Sequence, residues 1–294
     1  MNQNNHNMRK TVTVNNYEFN YEEKGTGEKV ILIHGSSSDY RTWENQVNEL
    51  SKNYHVTSYS RRYHYPNKKI EKGNDYSMKE HVEDLKALIK YFGDTPVHII
   101  GHSYGALMGI ELACGNPEII KSMVLAEPPA IRLFVSNTPK PREILSLLFK
   151  RPKTAISIIK LGAKGIDLAT KAAKKNDMVS AMQLTGKAIL GKSFFNNLTK
   201  ERKEQALINL SAAELTGSGF LPINSDKLST IKIPVLLVTG KLSPKVFSNL
   251  SDRLMELISG VKRIAISKAS HIMHEDNYAE YNSKVASFLK ENEK

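Results

Sequence analysis

Val97-His98-Ile99-Ile100-Gly101-His102-Ser103-Tyr104-Gly105 is the stretch whose reading decides the fold. Four residues suited to a fully buried strand run into a Gly-x-Ser-x-Gly, and residues 106–114 then read as a helix with small residues, Gly105 and Gly109, on one side. A strand that turns this sharply into a helix holds the serine at its tip in a sparsely allowed backbone conformation. The flanking glycines leave room for strand and helix to cross closely. Ser103 is therefore predicted to stand at the top of a sheet. The helix beginning at Tyr104 brings backbone N–H groups and the positive end of its dipole to the same spot, where a developing negative charge would be stabilised. Five residues of this kind also arise by chance in loops, so the reading depends on the rest of the chain.

Upstream, residues 11–14 and 17–23 alternate apolar and polar positions around Asn15-Asn16, the pattern of a two-residue hairpin. Val30-Ile31-Leu32-Ile33 is a continuous apolar strand ending at His34-Gly35-Ser36, whose amides would stand at the carboxyl end of the sheet, where open α/β sheets bind ligands. Residues 42–50 read as a helix with Trp43 buried, and residues 56–60 as a strand. Residues 61–67, Arg-Arg-Tyr-His-Tyr-Pro-Asn, form a polar aromatic loop whose role the sequence does not disclose. Residues 77–92 carry apolar side chains at helical spacing, with Ser77 and Glu80 placed as a capping box.

Downstream, Met123-Val124-Leu125-Ala126 is a buried strand that stops at Glu127-Pro128-Pro129. Strand and helix alternate to this point, which implies right-handed crossovers and a largely parallel sheet. From residue 131 to residue 225 the patterns are helical, as at 143–149 and 155–161, with no strand. Alternation resumes with a strand at 235–238, a helix at 244–258, a strand at 262–266 and a helix at 278–289. The expected class is α/β: a mostly parallel central sheet in a core made of residues 1–130 and 226–294, with residues 131–225 inserted as a helical cap over the carboxyl ends of the strands.

A chain of 294 residues accommodates that arrangement. Its net charge of +12 is concentrated in the insertion, where sixteen Lys or Arg stand against six Asp or Glu. That segment holds no nucleic-acid module and few aromatics among its lysines, so no nucleic-acid partner is expected. A solvated helical face, or an attraction for anionic substrates or membrane surfaces, accounts for the charge. No stretch is long and apolar enough to span a bilayer, and the Asn-rich residues 1–10 lack the apolar core of a secretory signal, so a cytoplasmic location is expected. The single cysteine, Cys114, reads as a packed thiol on the helix after Ser103. No His, Cys or Asp cluster has metal-ligand spacing, and no metal or organic cofactor is implied.

From the hairpin to the last helix, the chain resembles the α/β-hydrolase superfamily. The resemblance implies a nucleophile elbow at Ser103 in Gly101-His102-Ser103-Tyr104-Gly105, a general base at His271 a few residues past the last strand, and an oxyanion hole from the backbone N–H groups of Ser36 and Tyr104. His274, one turn beyond His271, has no corresponding slot and reads as incidental. The third triad member commonly follows the strand that ends here at Thr239-Gly240, but Lys241-Leu242-Ser243-Pro244 offers no carboxylate and Ser243 fills the slot. Some members, haloalkane dehalogenase-like ones among them, place the acid after the strand that follows the elbow helix, and that position is Glu127. Asp252 and Asp276 are the fallback acids.

A serine at the elbow implies an acyl-enzyme, whereas epoxide hydrolases and dehalogenases use a carboxylate there. The implied activity is hydrolysis of a carboxylic ester or lactone, a bulky lactone such as a macrolide among them, with no partner beyond the small-molecule substrate. C–C bond hydrolysis and perhydrolysis run on the same constellation. A ligand receptor on this fold, with a triad that turns over slowly, is the reading outside enzymes. The substrate's acyl and alcohol parts and the oligomeric state are not readable from the sequence.

Overall fold

In the computed structural model, residues 9–93, 96–136, 139–217 and 223–293 are described; residues 1–8 of the Asn-rich start lie outside them. The strands are β1 (Lys10–Val14), β2 (Tyr17–Lys24), β3 (Lys29–Ile33), β4 (His55–Tyr59), β5 (Val97–His102), β6 (Ile120–Ala126), β7 (Val235–Gly240) and β8 (Lys262–Ile266). They form one sheet in the order β1-β2-β4-β3-β5-β6-β7-β8, antiparallel at β1-β2 and β2-β4 and parallel elsewhere. Asn15 and Asn16 turn the first hairpin with φ of 48° and 56°, the doubly left-handed pair that matches strand twist.

The two-residue period of the strands sorts their side chains into two layers. Ile31, Ile33, Ile99, Met123, Leu125 and Leu237 face α2 (Met78–Phe92) and α3 (Tyr104–Gly115). Val30, Leu32, Ile100, Val124, Leu236 and Val238 face α1 (Glu44–Leu50) and α14 (Tyr278–Glu291). Both faces are covered, so the central strands carry runs of consecutive apolar residues rather than strict alternation, with His98 in β5 and Lys121 and Ser122 in β6 among the exceptions. Each such side chain contributes about 1.5–3 kcal/mol on burial. Trp43 is buried as expected, although a 3₁₀ turn over Tyr40–Trp43, capped by the Asp39 carboxylate, precedes α1. Ser77 begins α2 without capping it by its side chain, contrary to the capping-box reading. Glu80 instead lies 3.5 Å from Arg62, a cation that competes for the same carboxylate.

Between β6 and β7 the described residues hold only helices: α4 (Pro141–Lys150), α5 (Pro152–Leu161), a π turn at Gly162–Ile166, α6 (Asp167–Lys174), α7 (Met178–Leu190), α8 (Lys192–Asn197), α9 (Lys200–Asn209), α10 (Ala212–Thr216) and α11 (Ser225–Ser229). Two apolar seams are among the contacts that anchor them. Leu147, Ala155, Ile158 and Leu161 pack on Val246, Phe247 and Leu250 of α12 (Lys245–Leu257). Ala173, Ala181, Met182, Leu190, Phe195, Ala206 and Leu210 pack on Ile272, just before α13 (Met273–Asp276). Among the described residues no helix is long and apolar enough to cross a membrane. Cys114 is half-buried against the sheet, and burial pushes its thiol up to about 11, which leaves it un-ionised near neutrality.

Candidate active site

The turn after β5 holds Ser103 at φ 50° and ψ −116°, a conformation that costs of order 1–3 kcal/mol for a side chain with a Cβ. Packing around it enforces that geometry. The Ser103 N–H donates to the Ala126 carbonyl at 2.8 Å, tying the turn to the end of β6. A Cβ on Gly105 would come within 2.3 Å of the Ile33 carbonyl oxygen, so only glycine lets α3 cross β3 this closely.

Glu127 leaves the end of β6 through a turn of its own, at φ 44°. Its Oε2 accepts from His271 Nδ1 at 2.6 Å, and its Oε1 accepts from the Gly240 N–H at 2.9 Å. The first contact places the ring proton on Nδ1 and leaves Nε2 as the acceptor nitrogen. Gly240 is needed here, because a Cβ would lie 2.2 Å from the Ser270 carbonyl oxygen of the His271 loop. Ser243, in the slot after β7 where the family commonly holds its acid, lies beside Glu127. Burial pushes the Glu127 carboxyl upward, while the Ser243 hydroxyl and the Gly240 N–H hold it toward the ionised form that accepts from Nδ1–H. Burial also pushes the His271 imidazole down to about 3, so the ring is neutral near pH 7. The 2.6 Å contact opposes both shifts, since each partner stabilises the other's charged form.

Rings brace the imidazole. Phe247 stacks on His271 with centroids 3.9 Å apart and planes at 20°, and His102 lies against it at 4.7 Å while its Nε2–H donates to the His271 carbonyl at 2.9 Å. Ser270, just before His271, gives its N–H and hydroxyl to Asp276 at 2.7 and 2.6 Å. Asp276 therefore holds the loop rather than the ring, and Asp252 pairs with Arg263 away from it, so neither fallback acid reaches His271. His274 packs rather than reacts: fully buried, it lies 4.4 Å from the Trp43 ring and 4.5 Å from His102, beneath the loop.

Arg61, from the loop left unread in the sequence, is buried. It donates from Nη1 to Tyr76 Oη at 2.7 Å and from Nη2 to the Gly35 carbonyl at 3.0 Å, and its guanidinium lies over the Tyr104 ring at 4.4 Å. The same Gly35 carbonyl accepts from His34 Nδ1 at 2.8 Å. Because a trans peptide is planar, fixing the Gly35 carbonyl fixes the Ser36 N–H in the opposite direction. Arg62 clamps Asp84 through two 2.7 Å bonds, and His64 ties to the Ser38 carbonyl and Tyr76. The loop is thus a bracket under the segment that follows β3.

Ser36, Ser103 and His271 line one cavity of about 70 Å³, closed from the other side by Met182, Thr185 and Phe195 of the inserted helices and by Arg202, which is paired with Glu275 at 2.8 Å. Of the residues singled out in the sequence, Ser103, His271 and Ser36 meet here, Glu127 stands behind the ring, and Tyr104 heads the helix after the turn. Arg61, His102 and Phe247 were not anticipated, since their partners come from distant segments. His102 alone carried a local signal, from its place inside the Gly-x-Ser-x-Gly.

The sequence profile of the alpha/beta hydrolase fold matches residues 29–278. An uncharacterized hydrolase of Bacillus subtilis is 28% identical over 133 residues, which are 45% of this chain and 49% of that protein, so the chain spans about half its length in the match. The (E)-2-((N-methylformamido)methylene)succinate hydrolase of Acinetobacter baylyi is 23% identical over 266 residues, covering 88% of this chain and 89% of that one. Among solved structures, a thermophilic esterase from Thermogutta terrifontis superposes with a TM-score of 0.75 at 16% identity, over 98% of this chain and all of the other. The carboxylesterase CesB of Bacillus subtilis superposes with a TM-score of 0.70 at 17% identity, over 96% and 91%. With the elbow, the sheet order and the matched span in agreement, the chain belongs to the α/β hydrolase fold family.

Proposed function

We propose that this protein is a serine hydrolase of small carboxylic esters or lactones, acting through an acyl-enzyme, with residues 131–225 as a cap over the site. The observation that carries the reading is the 2.6 Å bond from His271 Nδ1 to Glu127, on an imidazole that lines the same cavity as Ser103. In the proposed cycle the Ser103 hydroxyl adds to the substrate carbonyl as His271 Nε2 takes its proton. Glu127 steadies the resulting imidazolium, and the N–H groups of Ser36 and Tyr104 hold the oxyanion. The alkoxide leaves with the proton from His271, and a water activated by the same nitrogen releases the acid and regenerates Ser103.

Cavity size supports a small substrate. About 70 Å³ stands against the 300–1,000 Å³ of a typical ligand pocket, so a macrocyclic lactone is not part of the proposal. The succinate-derived compound named for the Acinetobacter relative agrees with that scale. The test is incubation with a small p-nitrophenyl phosphonate. An active serine of this kind releases one p-nitrophenolate per chain and carries the phosphonyl group on the Ser103 tryptic peptide. Release without modification of Ser103, or no release during hours at neutral pH, counts against the reading.

The bracket formed by Arg61 supplies a second expected result. Arg61→Lys keeps the charge but loses the fork that reaches Gly35 and Tyr76 together. Turnover of a short p-nitrophenyl ester is expected to fall roughly 10- to 100-fold with KM little changed, as part of an oxyanion donor's contribution is lost. An unchanged kcat would remove Arg61 from the positioning of Ser36.

A further inference from the structure

The inserted helices carry apolar side chains on both of their sides. α4 buries Leu147 and α5 buries Ala155, Ile158 and Leu161 against α12. On the face turned away from the protein, Phe149 is 90% exposed and Leu145, one turn before it, 66%; Ile156 on α5 is 60% exposed. An i, i+4 pair on a solvent face gains at most a few tenths of a kcal/mol, so large apolar side chains this exposed set this face apart from an ordinary surface helix. It is also strongly cationic: residues 141–175 contain nine Lys or Arg and two Asp or Glu. Lys150, Lys153 and Lys160 are exposed beside the apolar side chains.

An open groove of about 530 Å³ runs along α4, with Arg142, Lys150, Arg151 and Arg253 among its lining residues. Glu256 neutralises Arg151 and Arg253 at 2.7 Å, and Glu143 is engaged by the Ser136 N–H at 2.9 Å. Among the described residues, Arg142 and Lys150 have no ion pair. An exposed phenylalanine and leucine next to two uncommitted cations in a groove form the pattern of a side chain pair that enters an acyl boundary beneath a bound phosphate.

We propose that the outer face of α4 and α5 docks this protein onto membranes bearing anionic phospholipid, with Phe149 and Leu145 entering the lipid and Arg142 and Lys150 holding a headgroup phosphate. The charge that attracts such a surface repels a second copy of the chain, and the protruding apolar side chains have no counterpart on a nucleic-acid backbone. None of these residues lines the Ser103 cavity, so docking and hydrolysis are separately testable.

The experiment is flotation of the full chain with vesicles of phosphatidylcholine containing about one third phosphatidylglycerol, against phosphatidylcholine alone, at salt of about 0.1 M and 0.5 M. Binding is expected only to the anionic vesicles and is expected to weaken several-fold at the higher salt. Phe149→Ser with Leu145→Ser, and separately Arg142→Glu with Lys150→Glu, are each expected to lower partitioning by about 10-fold or more while melting temperature and turnover of a soluble ester stay at wild-type values. The proposal is overturned by equal binding to neutral vesicles, by no binding to anionic ones, or by variants that float like the wild type. Concentration-dependent dimers that the Phe149 variant abolishes would also overturn it, by assigning the face to a second copy.

Discussion

Ser103→Ala is expected to lower kcat for a short-chain p-nitrophenyl ester by about 10⁵-fold or more, leaving only the slow background that binding and backbone donors give without a nucleophile. Melting temperature is expected to change by only a few degrees, because the hydroxyl is not among the groups that hold the turn; the Ser103 N–H to Ala126 and the Gly105 crossing remain. Glu127→Gln is the partner experiment. Its amide preserves volume and can still accept from Gly240, but Nδ1 of His271 then meets a neutral group in place of a charge, and the tautomer with Nε2 free is no longer enforced. A loss of about 10³- to 10⁴-fold is expected, concentrated in kcat. Steady-state turnover of purified variants checks both. Retention of more than a tenth of the activity by Ser103→Ala would mean another group attacks the substrate.

Acid is expected to unfold this protein before its exposed carboxylates are titrated. His34, His64, His81, His102, His271 and His274 are all buried, and burial is the leading cause that lowers each of their pKa values, to about 3 for His34 and His271. In the unfolded chain each binds a proton below about pH 6.5. The native state does not, so the unfolded state holds more protons and stability falls as pH falls. Each such group costs about 1.4 kcal/mol per pH unit from about 6.5 down toward its native pKa. Six acting together have a ceiling of about 8 kcal/mol per unit, comparable with a whole domain's stability of about 5–15 kcal/mol. Glu111, Glu127 and Asp276, whose pKa values burial raises, have the opposite sign, but they are three groups against six.

Melting temperature is therefore expected to be flat from about pH 8 to 7 and to drop steeply between about 6.5 and 5. His81 isolates the cause, because neither of its ring nitrogens has a hydrogen-bond partner among the described residues. His81→Leu is expected to reduce the steepness by about one proton's worth. A melting temperature that holds to pH 5 in the wild type would show that these rings protonate without leaving the fold.

What could be read from the chain follows the range of the interaction concerned. Ser103 and its glycines are dictated by contacts within a few residues and by the strand beside them, so a five-residue motif in the right strand-helix context sufficed. His271 and Glu127 came from the resemblance, which assigns roles to positions just past strand ends, and apolar runs mark those ends clearly. Arg61 was opaque because its partners, Gly35, Tyr76 and Glu214, lie up to about 150 residues away and are ordinary residues in their own segments. The capping reading at Ser77 failed because Arg62 draws Glu80 away, a tertiary pairing that no local rule contains. Cavity size was equally out of reach: it depends on how Met182, Thr185 and Phe195 are carried over the elbow, which composition does not encode.

Ile272 packs among the inserted helices, yet a single peptide unit joins it to His271. Any displacement of those helices is therefore transmitted through that peptide to the imidazole ring beside the Ser103 cavity. The packing of the inserted helices and the stillness of the ring that Glu127 holds are in this way one mechanical problem, joined by a single backbone link.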